Sequence, residues 1–167
     1  MFETSRQLGR IPVVAVRGES VVEQTAWLKR LLGHPLMRGS VVLSPTVQRD
    51  SELGYSRVEP FVLARPTSEE GCLCCGLNSG LGDALRSLFL RVLSKRAAPV
   101  DRVVIDALGL DLEQIAFTLK HAPFLGQRYL YQLALTVEGE RAVLNHPASA
   151  KPDQHVDFDE TSILKLV

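Results

Sequence analysis

Ile11-Pro12-Val13-Val14-Ala15-Val16-Arg17-Gly18, with the segment from Val22 to Leu32 and the closing Gly33-His34-Pro35, decides the fold class of this 167-residue chain. The first six residues are apolar and rich in β-branched side chains, as in a strand buried on both faces of a parallel sheet. Arg17-Gly18 breaks the run. Val22, Trp27, Leu28, Leu31 and Leu32 then fall near a 3.6-residue period, with Glu23, Lys29 and Arg30 on other faces, which predicts an amphipathic helix. Gly33 and Pro35 stop it. Strand, glycine turn and helix make the first half of a β-α-β unit.

The alternation continues outward from that unit. Ser40 to Leu43 predicts a second strand. Residues 44–58 are polar and turn-rich, an irregular connection with one helical turn. Pro60 to Ala64 predicts a third strand, and Arg65 to Glu70 a loop. After Gly80 an amphipathic helix carries Leu81, Leu85, Leu88, Phe89 and Val92 on one face. Lys95-Arg96 follows at its C-terminal end, where cations suit the helix dipole. Arg102 to Ile105 is a further buried strand ending at Asp106. Asp111 predicts the N-cap of a helix bearing Leu112, Ile115, Ala116 and Leu119, and Tyr129 to Val137 is the last strong strand. The order predicts a doubly wound α/β fold: three layers, a mainly parallel sheet and helices on both faces. Residues 1–150 read as one domain and 151–167 as a polar tail with an apolar tip. Such sheets gather ligand sites at the carboxyl ends of their strands.

Composition narrows the function. With 46% hydrophobic and 23% charged residues the chain reads as globular. Its formal net charge of zero argues against nucleic acid, since phosphate neutralisation needs surplus Lys and Arg. No apolar run approaches the ~18 residues of a membrane span. Met1 to Arg10 has no apolar signal core, so a cytoplasmic protein is expected.

All three cysteines sit in Gly71-Cys72-Leu73-Cys74-Cys75. Thiolates are soft ligands that suit zinc and copper(I), and three on one short loop make most of a tetrahedral site. Adjacent cysteines such as Cys74 and Cys75 are badly placed for disulfide geometry. Cys72 and Cys75 have CxxC spacing, which leaves a redox pair open. A thioredoxin-type site would open a helix straight after a strand, whereas the pattern here puts Gly, Asn and Ser residues before the next helix. Chance clustering of small buried residues is the third reading.

Taken together, the Ile11 strand, the Gly18 turn, Leu28-Lys29-Arg30-Leu31-Leu32, His34-Pro35, Gly71-Cys72-Leu73-Cys74-Cys75 and Asp101-Arg102-Val103-Val104-Ile105-Asp106-Ala107-Leu108-Gly109-Leu110 resemble the CobW-type metal-chaperone GTPases. The resemblance spans roughly residues 11–137. It implies a P-loop NTPase-like domain, GTP with magnesium, and a metal such as zinc held by Cys72, Cys74 and Cys75. It also implies nucleotide or magnesium contacts at Gly18, Thr25 and Asp106. The partners implied are the metal ion and a client metalloprotein or a second copy of the chain.

The chain departs from that family at the phosphate loop. A Gly-x-x-x-x-Gly-Lys-Ser/Thr loop wraps phosphates with backbone N–H groups, neutralises them with its lysine and holds magnesium with its hydroxyl. Here the window is Gly18-Glu19-Ser20-Val21-Val22-Glu23-Gln24-Thr25. Gly18 and Thr25 are kept, but Glu23 replaces the second glycine and Gln24 the lysine. Losing one charge-assisted bond costs about 1.5–3 kcal/mol, and Glu23 adds a like charge. GTP binding is expected to be weak or absent, with no hydrolysis and no catalytic residue. No Asn-Lys-x-Asp base-reading segment occurs.

The expected function is therefore metal homeostasis or transfer by a nucleotide-incompetent, CobW-like zinc protein. Two alternatives stand beside it. One is an active GTP-binding metallochaperone, and the other a non-catalytic module that pairs with a full-length relative. Thr25 and Asp106 also have structural readings, as a helical threonine and as a cap or loop carboxylate. His34 reads as a cap, and His121, His146 and His155 as scattered exposed residues, any of which could complete a zinc shell. Trp27 reads as core.

Overall fold

The computed structural model describes residues 9–46, 49–55, 57–62, 73–149 and 152–157. The chain is α/β, built on a mixed seven-stranded sheet. In chain order its elements are β1 (Ile11–Gly18), α1 (Val21–Leu32), a 3-10 turn (Pro35–Met37), β2 (Ser40–Ser44), α2 (Arg49–Leu53), β3 (Val58–Pro60) and α3 (Leu73–Leu93). There follow β4 (Arg102–Asp106), α4 (Leu112–His121), α5 (Pro123–Arg128), β5 (Tyr129–Glu138), β6 (Arg141–Asn145) and β7 (Gln154–Asp157). Across the sheet the strands run β3-β2-β4-β1-β5-β6-β7. The five strands β3 to β5 are mutually parallel, and β6 and β7 are added antiparallel. The segment expected as a polar tail thus contributes an edge strand, β7.

Alternation along β1 builds the two cores. Val13 and Ala15 point to one face with Leu81, Leu85 and Leu88 of α3, Ile115 and Leu119 of α4, and Leu125 of α5. Val14 and Val16 point to the other with Trp27, Leu28, Leu31 and Leu32 of α1. Every residue of β2 and β4 is buried, which is why these strands read as continuous apolar runs rather than alternating ones. In β5 the pairing with β1 slips between Val13 and Val14, leaving Gln132 as an extra residue. This bulge reverses the parity: Tyr129 and Tyr131 pack with the α3 face, Leu133 and Leu135 with the α1 face.

Three sequence expectations are corrected. Val22 is not on the buried face of α1 but 79% exposed. The inward row is Gln24, Trp27, Leu28, Leu31 and Leu32, so a glutamine takes the first core-facing position. The third strand is Val58–Pro60 rather than Pro60 to Ala64; Val58 and Glu59 pair with Val42 and Leu43, and Leu63 and Ala64 lie outside the described residues. Lastly, α3 begins at Leu73, not after Gly80. The glycines there do not bar a helix, since each costs only about 1 kcal/mol relative to alanine. Asp111 does cap α4, accepting from the Glu113 N–H at 2.9 Å, and His34 caps the 3-10 turn, its Nδ1 accepting from Leu36 N at 3.2 Å. No helix among the described residues is long and apolar enough to cross a membrane.

Candidate functional site

β1 and β4 are neighbours with Val16 opposite Asp106, so Gly18 and Asp106 emerge at one edge, the carboxyl edge of the sheet. There α1 starts abruptly. The Ser20 hydroxyl accepts from Glu23 N at 3.2 Å, and the Ser20 carbonyl from Gln24 N at 3.0 Å. Ser20-Val21-Val22-Glu23 has the spacing of a capping box. The eight-residue window that would wrap a phosphate is instead a short turn followed by helix, with two of its N–H groups already used.

Gln24 turns its side chain under this turn and is fully buried. Its Nε2 donates to the Val16 carbonyl at 2.5 Å and to Asp106 Oδ1 at 2.9 Å. Its Oε1 lies against Gly18, where a Cβ would meet it at 2.9 Å. Glycine at position 18 therefore makes room for the chain's own amide.

Asp106 is 1% exposed and accepts two further bonds through Oδ2. Ser44 Oγ, at the end of β2, donates at 2.8 Å, and Arg49 Nε, on α2, donates at 2.9 Å. Arg49 is 2% exposed, an unusual state for an arginine unless it is paired. Its Nη1 donates to Thr25 Oγ1 at 2.6 Å and to Glu52 Oε2 at 2.5 Å. Thr25 Oγ1 in turn donates to the Val21 carbonyl at 2.7 Å. One guanidinium so joins β4, α1 and α2. Gln24 Oε1 and Arg49 Nη2 are buried without a partner among the described residues.

At this edge the structure gathers Gly18, Thr25 and Asp106 with Gln24, Ser44, Arg49 and Glu52. GTP and magnesium do not fit these residues. A hydroxyl and a carboxylate expected to share magnesium are bridged by a guanidinium, and the space beneath the first glycine holds an amide. Arg49 gave no sequence signal of its own, lying in a polar stretch that reads as a solvated turn. The available signal was indirect: Ser44 and Asp106 end two strands whose interiors, Val41-Val42-Leu43 and Val103-Val104-Ile105, are apolar, and buried polar groups need partners.

Cys74 and Cys75 lie in the first turn of α3. Gly71 and Cys72 lie outside the described residues. Among the described residues no group of three His, Cys, Asp or Glu is arranged to hold a metal. The start of α3 at Leu73 removes the argument that the CxxC pair is remote from a helix. His121 and His155 are exposed and His146 half-buried; His121 stacks on Phe117 with ring centroids 4.2 Å apart.

No family model, curated protein or solved structure matches the chain.

Proposed function

We propose that the chain is a metal-binding protein of the CobW-like class whose P-loop-like domain is a nucleotide-independent scaffold. Cys72, Cys74 and Cys75 are the thiolate ligands and zinc the ion. Three protein ligands leave a fourth position open to water, a histidine or a partner's donor, which suits transfer rather than a closed structural site. The recipient would be a client metalloprotein or a second copy of the chain. The observation that carries the scaffold half of the reading is the Thr25–Arg49–Asp106 bridge, which satisfies the carboxyl edge without a triphosphate. The metal half rests on three thiols within four residues.

Zinc titration by equilibrium dialysis, repeated with GTP and magnesium present, tests both halves. Wild type should bind one equivalent with an affinity indifferent to GTP, and a Cys72→Ser/Cys74→Ser/Cys75→Ser variant should bind none. Equal zinc uptake by the variant sinks the metal assignment. Micromolar GTP binding by calorimetry, abolished in Thr25→Ala, supports an active GTPase instead.

One observation favours a second reading. Cys74 and Cys75 lie in the first helical turn of α3, and helix N-termini favour thiolates. A Cys72–Cys75 redox pair would show as two thiols lost to glutathione disulfide and regained with dithiothreitol, in zinc-free protein.

A further inference from the structure

We infer that the amino edge of the sheet, opposite Asp106, carries a ligand site: a cavity in which Arg10, Lys120 and Tyr131 take a small carboxylic acid with an apolar or aromatic body. The inference uses neither the thiols nor the carboxyl edge and is independent of the zinc reading.

The cavity lies where separate parts of the chain meet. Arg10 precedes β1 and Tyr131 is the third residue of β5, and these strands run parallel from Ile11 and Tyr129. Leu119 and Lys120 are in the last turn of α4. Pro147 follows β6, which returns antiparallel to the same edge. These residues border about 300 Å³, the lower end of the ~300–1,000 Å³ range of small-molecule sites. Leu119, Leu130 and Pro147 make the wall largely apolar. Arg10 and Lys120 add two positive charges, with no carboxylate beside them in the lining among the described residues. Neither makes an ion pair among the described residues. Apolar walls with two unopposed cations suit an apolar body that ends in one anionic group.

Tyr131 is the observation that points to a ligand. It is 8% exposed, and its hydroxyl is buried with no partner among the described residues. Tyr129, two residues away, shows the ordinary solution, since its hydroxyl donates to the Leu85 carbonyl at 2.6 Å. A buried polar group left unpaired works against stability, and phenylalanine would fill the same space without that cost. Burial pushes the Tyr131 phenol above its usual range, so it keeps its proton at neutral pH and needs an acceptor. An ionised carboxylate is an acceptor only. Because the hydroxyl is enclosed, the ligand reaches it by pressing the wall outward, and the exposed Pro147-Ala148 turn is the part that can yield.

The test is calorimetry on the full chain with 1-naphthoate, benzoate and hexanoate as probes. Naphthalene-1-carboxamide is the neutral control and inorganic phosphate the bare anion. At least one carboxylate should bind, one per chain, with a dissociation constant below about 1 mM, and both controls should bind at least roughly tenfold more weakly. Arg10→Gln/Lys120→Gln should weaken the carboxylate by at least roughly tenfold, and Tyr131→Phe should do the same. The melting temperature of Tyr131→Phe should be unchanged or higher, which separates a ligand-binding hydroxyl from a structural one. Ala148→Trp, at an exposed position, fills the cavity and should abolish binding. No carboxylate binding below about 1 mM overturns the inference, as do controls that bind equally well. Carboxylate affinity that survives in the charge variant, in Tyr131→Phe or in Ala148→Trp overturns it too. A Tyr131→Phe chain that melts lower or fails to fold shows that the hydroxyl serves the fold, and that also overturns it.

Discussion

Taking a guanidinium and a carboxylate out of water costs several kcal/mol per ion before their attraction is counted. Arg49 and Asp106 meet that cost through shared geometry. Asp106 accepts three bonds and Arg49 reaches three acceptors. Removing one partner strands the other, so Asp106→Ala and Arg49→Ala should each lose about 3–5 kcal/mol in urea unfolding. Replacing both, as Arg49→Met/Asp106→Leu, should cost much less than the sum, and a double-mutant cycle measures the difference. At this scale the sequence was half legible. Gly18, Thr25 and Asp106 sit where strand ends and helix starts are punctuated. Arg49 was hidden because nothing local distinguishes a buried arginine in a polar loop from an exposed one. Only its partners 24 and 57 residues away do so.

Elements show where periodicity informs and where it misleads. Leu28, Leu31 and Leu32 fixed the inner face of α1 from sequence. Val22 did not belong to it, because it precedes Leu31 by nine residues, half a turn out of phase, whereas Gln24 lies three and four residues before Trp27 and Leu28 and so faces inward. α3 was seen from Leu81 onward, where the apolar stripe is regular. Its first turns carry Leu73 and Leu77 in step with Leu81 and Leu85, but Gly76, Gly80 and the polar Asn78-Ser79 read as a loop and they were missed. Its C-terminus ends in a Schellman arrangement: Arg96 N donates to the Arg91 carbonyl at 2.8 Å and Lys95 N to the Val92 carbonyl at 3.1 Å. The left-handed residue there is Lys95, with φ +58°, where glycine is usual. A side chain in that conformation costs about 1–2 kcal/mol. Lys95→Gly should therefore stabilise the protein by about 1 kcal/mol, raising its melting temperature by roughly 2–4 °C. An unchanged or lower value would mean that Lys95 makes a compensating contact.

The whole sheet carries the stability of the molecule and its response to alkali. Tyr129 and Tyr131 stand on β5 beside the bulge, and burial pushes both phenols well above their usual range. In the unfolded chain they ionise near pH 10. The folded state keeps its protons longer, so stability is intact below about pH 10 and falls as pH rises beyond it. The two differ in their partners. Tyr129 OH donates to the Leu85 carbonyl at 2.6 Å, while Tyr131 OH has no partner among the described residues. Tyr129→Phe should cost about 0.5–1.5 kcal/mol at pH 7. Tyr131→Phe should be neutral or stabilising at pH 7 and gain on wild type above pH 10, as thermal melts across pH will show. The strand and helix order was legible at this scale because buried parallel strands are strongly patterned. β7 was not, since Gln154 to Asp157 is polar and is recruited only by the exposed edge of β6.

Trp27 is the lone indole of the chain. It is 4% exposed, and its Nε1 donates to the Gly139 carbonyl at 2.7 Å, in the turn between β5 and β6. It stands two residues from Thr25, on the helix that Arg49 ties to β4. The protein thus contains a built-in optical gauge: blue emission while that helix is seated, red-shifted emission once it lifts. Any event at the carboxyl edge that loosens the helix can be followed without a label.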